Sequence, residues 1–178
     1  MTSDTTTASS TTPAARATTG TTTGSATGSG AAGAGASTIT RTVKVTAGEV
    51  EANVKRGGDI RVTLSPRTVG CSSGFGGVMD LLPGDHITEH YHPFSEEFLH
   101  VVTGELQMTL DGQPVRLTAG DSLLVPIGVR HRLVNTGTVT AHCAFHLSPL
   151  APRPELGHVD TEPAQRPGAA DPQVGGTP

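Results

Sequence analysis

Residues 89–98, Glu89-His-Tyr-His-Pro-Phe-Ser-Glu-Glu-Phe98, decide the fold. Side chains along a β-strand alternate between faces, so His90 and His92 point one way and Tyr91 the other. Two imidazoles on one face can reach one ion. Pro93-Phe94-Ser95 breaks the strand, and Glu96-Glu97 starts the next one. A carboxylate returning beside two imidazoles makes a two-His, one-carboxylate face with open positions for a ligand. Alternation alone does not choose between Glu96 and Glu97.

Outward from this stretch the chain reads as short strands: Thr40–Val45, Ile60–Leu64, Val78–Leu82, Phe98–Val102, Leu106–Leu110, Val115–Leu117, Ser122–Val125, His131–Val134 and His142–Leu147. Pro83-Gly-Asp, Asp111-Gly-Gln, Ala119-Gly-Asp and Asn135-Thr-Gly punctuate them, and such residues favour tight turns. Asp111-Gly112 between two alternating runs is a hairpin signal. No long window carries a helical apolar stripe. The pattern predicts one all-β sandwich or barrel, without a repeated second copy. If the strand opening at His131 lies beside the first, His131 is a third nitrogen ligand.

These residues resemble the two signature motifs of the cupin superfamily. The first is Gly, five residues, His-x-His, three or four residues, Glu, six residues, Gly, met by Gly84, His90, His92, Glu97 and Gly104. The second is Gly, five residues, Pro-x-Gly, two residues, His, three residues, Asn, met by Gly120, Pro126, Gly128, His131 and Asn135. Only Glu97 leaves six residues before Gly104, which favours it over Glu96. The resemblance implies a double-stranded β-helix, a jelly-roll barrel, with one divalent metal on His90, His92, Glu97 and His131. Imidazole and carboxylate together suit zinc, iron, manganese, nickel or copper, and the spacing does not choose.

The likeness narrows over Arg56–Arg61, Leu64–Gly70, Glu89–Phe98, Val129–Gly137 and Phe145–Asp160. There the chain looks like the small cupins of aromatic polyketide gene clusters, of tetracenomycin, spore-pigment and resistomycin-cyclase type. What that implies is a protein that cyclises a poly-β-ketone intermediate with a bound metal, zinc by family likeness; a cytoplasmic location is the default expectation. A polyketide synthase or second cyclase is an implied partner. Barrels of this type pair, so a homodimer through Val43–Leu64 is expected. An oxygenase using a redox metal, and a non-catalytic binding partner of a synthase, are the alternative functions.

Composition sets the boundaries. Residues 1–38 are almost wholly Thr, Ser, Ala and Gly and cannot bury apolar surface, so a disordered tail is expected there. The Pro-, Gly- and Gln-rich stretch 162–178 reads the same way, leaving 39–161 as the barrel. A net charge of −4 and scattered Lys and Arg give no nucleic-acid footprint. No apolar run is long enough for a membrane helix. Cys71 and Cys143 are far apart and read as reduced thiols, not ligands.

For the proton acceptor in a ring closure, the candidates are Glu96, His146 and a hydroxide held by the metal, and the sequence does not choose. His142 and His146 share a face opposite Cys143, Phe145 and Leu147, and one of these faces must look inward. His100 has the wrong parity to meet Glu97. His86 reads as exposed, and His158, near the tail, carries no assigned role.

Overall fold

The computed structural model describes residues 43–172 and Val174. The expected tail over 1–38 lies outside them. Among the described residues ten strands build the fold: β1 (Asp59–Leu64), β2 (Phe75–Leu81), β3 (His86–Tyr91), β4 (Glu96–Thr103), β5 (Glu105–Leu110), β6 (Gln113–Thr118), β7 (Ser122–Val125), β8 (His131–Asn135), β9 (Ala141–Ser148) and β10 (Val159–Asp160). One turn of helix, α1 (Pro66–Val69), follows β1 and is closed at its start by a capping box between Ser65 and Thr68.

The strands form two antiparallel five-stranded sheets, in the orders β1-β2-β9-β4-β7 and β10-β3-β8-β5-β6. This is the all-β jelly roll that the motifs imply. Apolar side chains of the two inner faces meet between the sheets. Leu81, Leu99, Val101, Leu106 and Met108 are almost fully buried. Alternation along β4 shows the pattern plainly: Glu97, Leu99 and Val101 are buried, whereas Phe98, His100 and Val102 are exposed.

Several strands differ from expectation at their ends. Residues 43–45 form no strand. Instead Asn53 folds back and exchanges both backbone hydrogen bonds with Ile60, covering part of the outer edge of β1. Strand β2 begins at Phe75, before the Val78 read from the sequence, because Gly76 and Gly77 belong to it. A Cβ on Gly77 would sit 1.9 Å from the Arg61 carbonyl oxygen, so glycine there lets β1 close on β2. Gly104, the last position of the first motif, has φ +91°, and a Cβ there would meet Ala141 Cα at 2.6 Å. The turn between β4 and β5 therefore requires glycine.

Within the expected C-terminal tail, the described residues from Glu162 make specific contacts. Backbone hydrogen bonds run from Glu162 N to Glu89 O and from Arg166 N to Lys55 O. Val174 is buried against the core. Composition reports only side-chain hydrophobicity, and this segment is held by main-chain and polar contacts instead. No helix among the described residues is long and apolar enough to cross a membrane.

Candidate metal centre

His90, on β3, and His131, on β8, are direct cross-strand partners in one sheet. The register of this strand pair shifts between Ile87 and His90. Such a bulge re-aims side chains, and here Ile87, Thr88 and His90 are all buried. His92 lies just past the end of β3, where Gly128 of the second motif donates its N–H to the His92 carbonyl at 2.9 Å. Glu97 comes from β4 in the opposite sheet. The two motifs thus reach one point from both walls of the barrel.

His90, His92, Glu97 and His131 are all buried, and one ligand atom from each lies within 4.8 Å of the others. Opposed ligands on a cation with bonds of about 2.1 Å are about 4.2 Å apart, so the cluster is close to one coordination sphere. Ring centroids are 5.0 Å apart for His90 and His92, 4.3 Å for His90 and His131, and 5.1 Å for His92 and His131.

The hydrogen bonds on the far side of each ring fix its tautomer. His90 Nδ1 contacts Thr88 O at 2.8 Å, His92 Nδ1 contacts Gly157 O at 2.9 Å and His131 Nδ1 contacts Val129 O at 3.0 Å. A carbonyl only accepts, so each Nδ1 carries the proton and donates it. In the neutral rings each Nε2 is then a bare lone pair. His131 Nε2 has no hydrogen-bond partner, although Glu97 Oε2 is 3.1 Å away, because the two are not aligned. His92 Nε2 is 3.2 Å from the same oxygen. Lone pairs facing a buried carboxylate repel unless a positive charge sits among them, so the donor set fits a divalent cation.

In the metal-free protein a proton on the rings takes the place of that charge. Burial pushes the Glu97 carboxyl up, but the His131 and His92 rings outweigh it and hold it well below the usual carboxylate range. Burial, then the charges of His131 and His92, push His90 well below the usual imidazole value. His131 is lowered by burial but raised overall by Glu97. A proton near His131 does for the isolated protein what a cation does better: it compensates Glu97.

The cluster faces a narrow cavity in the barrel, with about 60 Å³ open to the centres of water molecules. That is room for roughly four waters. Met79, Met108, Leu133 and Phe145 form its apolar wall, and Arg56, Asn53, His158 and Pro172 also line it. Arg56 is buried and ion-paired with Asp160, Nε to Oδ1 at 2.5 Å.

The structure gives the two other candidate site residues different places. Glu96 is paired with Ser148, and His146 with Phe98, on the outer face of the sheet. His146 is exposed, its ring 6.0 Å from that of Phe98, while the adjacent Phe145 is buried and lines the cavity. By strand parity both side chains lie on the outer face of the sheet, and neither lines the cavity. His142 is also outside, 2.5 Å from Asp80 through Nδ1, and His100 contacts Ser122 at 2.9 Å. The residue that sequence reading passed over is His158. Its ring centroid is 4.6 Å from that of His92 and 5.7 Å from that of His90, and burial pushes its pKa well down.

A jelly-roll barrel with these imidazoles and one carboxylate between its sheets has the architecture of a cupin, and residues 77–147 match the family described as the cupin domain. Two curated proteins are similar over most of the chain. One is the tetracenomycin polyketide synthase protein TcmJ of Streptomyces glaucescens, 48% identical over 78% of this chain and 93% of that protein. The other is the polyketide synthase CurC of Streptomyces cyaneus, 55% identical over 66% of this chain and 77% of that protein. The chain belongs to the cupin superfamily and, within it, to the family of small cupins that includes these two proteins. The fold is also shared with a double-stranded β-helix protein from Klebsiella pneumoniae, at TM-score 0.55 and 20% identity, covering 68% of this chain and 99% of that one.

Proposed function

We propose that this protein is a metal-dependent cyclase, or cyclisation-assisting protein, acting on poly-β-ketone intermediates of aromatic polyketide biosynthesis. The observation that carries the reading is the set of three Nε2 lone pairs and one ionised carboxylate converging on the end of an apolar cavity. The names of the similar proteins, TcmJ and CurC, supply the substrate class. His90, His92, Glu97 and His131 would hold the ion, and we take it to be zinc. A divalent ion there supplies Lewis-acid polarisation of a carbonyl oxygen.

The chain's own residues do the rest. A poly-β-ketone alternates carbonyls with acidic methylenes, and ring closure is an intramolecular aldol. One methylene carbon loses a proton and bonds to a distant carbonyl carbon, whose oxygen gains a proton. The Met79, Met108, Leu133 and Phe145 wall excludes water and limits which carbon pair can meet, a proximity effect worth up to about 7–11 kcal/mol. His158 is the imidazole of the cavity wall outside the four-residue cluster. Burial, with the His92 and His90 rings, pushes its pKa well down and keeps it neutral, so it presents a lone pair as a weak base that takes the methylene proton and passes one to the carbonyl oxygen.

The test combines metal analysis with product analysis. Protein purified without added metal is expected to contain zinc and to direct ring closure without oxygen uptake. His92→Ala combined with His131→Ala is expected to lose both the metal and the regiochemistry. Unchanged regiochemistry in that variant sinks the metal mechanism. Iron together with substrate-dependent oxygen consumption replaces the cyclase by an oxygenase.

A further inference from the structure

We propose that the segment Gly157–Pro172 is a strap that closes the mouth of the barrel and must lift to admit substrate to the metal centre. This rests on the functional reading above for what passes, but the closure is read from the contacts themselves.

The strap lies along one wall and over the mouth. At its start Gly157 gives its carbonyl to His92 Nδ1. Next β10 adds to the free edge of β3, Val159 opposite Tyr91 and Asp160 opposite His90. Then Thr161 and Glu162 both donate their N–H to Glu89 O. The Glu162 carboxylate accepts from Glu89 N at 2.8 Å and from Arg132 Nε at 3.1 Å. Gln165 Nε2 donates to His86 O at 2.7 Å. Finally the chain crosses to the other side of the mouth, where Ala170 O accepts from Asn53 and Asp171 pairs with Lys55 at 2.5 Å. His158 and Pro172 from the strap line the cavity.

Two facts make this a closure and not a fixed wall. The cavity beneath it has room for roughly four waters, far less than a chain of several ketide units, so the chain enters only when the strap lifts, and only its reacting end is covered when the strap brings His158 back. And no residue from 157 to 172 is fully buried, the His158 ring being the part most shielded from water. The strap is fastened by polar contacts at the surface, whereas β4 and β9 carry the core. Segments with few buried apolar contacts open locally without unfolding the rest. The same opening withdraws the Gly157 carbonyl from His92, so admission and the aim of one metal-site imidazole are coupled.

The experiment locks the strap. Thr161 Oγ1 lies 2.8 Å from Glu89 Oε1, so the two side chains face each other across neighbouring strands, and neither lines the cavity. In Glu89→Cys combined with Thr161→Cys, a disulfide forms under oxidation and opens under a reductant. The zinc-loaded variant is mixed with a chelating dye and the rate of zinc removal is followed. Oxidation is expected to slow removal at least tenfold, with recovery on reduction. Equal rates, with the disulfide verified by mass, overturn the proposal. A second arm needs no metal. In the wild-type protein, amide hydrogen exchange at Thr161, Glu162 and Arg166 is expected to run roughly 100-fold faster than in β4 and β9. Glu162→Gln is expected to speed it further. Strap amides that exchange only as slowly as β9 overturn the strap. Protein that retains no zinc sinks the metal-dependent function but leaves this second arm to decide the strap.

Discussion

Asn135 Nδ2 donates to the carbonyl of Leu81 at 2.8 Å, tying the end of β8 to the end of β2 in the opposite sheet. The same nitrogen donates to Val139 O at 2.9 Å, and Oδ1 accepts from Gly137 N at 2.9 Å. The last residue of the second motif is thus a turn former, as its Asn-Thr-Gly context suggests, and also a clamp between sheets. It is almost fully buried. Asn135→Ala removes the buried side-chain hydrogen bonds to Leu81 O, Val139 O and Gly137 N, which costs about 2 kcal/mol or more. Urea unfolding of the metal-free variant is expected to show this loss.

His158 stands near the metal-site rings but outside the group of four. As a proton acceptor its loss should slow chemistry and spare the metal. His158→Gln is expected to keep full zinc content while ring closure falls by about 100-fold or more. Loss of zinc in this variant, measured by elemental analysis, would instead make it a ligand.

Glu97 sets an acid limit on the metal-free fold. Its ordinary value is 4.5, and in the folded protein it lies well below that. A depressed carboxyl stabilises the fold fully above the ordinary value, and that stabilisation disappears as pH falls through the folded value. Unfolding free energy measured in chelator is expected to decline as pH falls below 4.5. Glu97→Gln is expected to flatten this decline. An unchanged slope shows that other groups carry it.

Cys143 is buried in β9, and burial, with the charges of Asp80 and Glu97, pushes its thiol up to about 12. Thiolate is the reactive form. Cys71 is half-buried and near the surface, its Sγ 3.1 Å from Gly74 O. Alkylation of native protein near neutral pH is expected to label Cys71 alone, and denaturation to release the second thiol. Mass spectrometry of the labelled peptides reads this directly.

Much of this centre is legible before any coordinates. Period-two alternation puts His90 and His92 together, and motif spacing selects Glu97 over Glu96. The structure's placement of Glu97 inside and Glu96 outside follows from the same alternation, since Leu99 and Val101 share the parity of Glu97. His146 could have been placed outside on similar grounds. Cys143, Phe145 and Leu147 form a continuous apolar row, and that row is the inward face of β9. His158 left no such signal. It reaches the cavity because β10 pairs with the edge of β3, and a two-residue strand within a Pro-rich segment has no periodicity to detect. The contacts of residues 162–172 left no signal for a related reason: many are main-chain hydrogen bonds, which any composition can make.

The three imidazoles are aimed by carbonyl oxygens of Thr88, Val129 and Gly157. Main-chain acceptors survive most amino-acid replacements. Met79, Met108 and Phe145 can therefore be exchanged to reshape the chamber for another guest without turning a single ligand away from its target. Shape and reactivity are separately adjustable in this barrel, so one scaffold can be retuned for differently folded substrates while its chemistry stays in place.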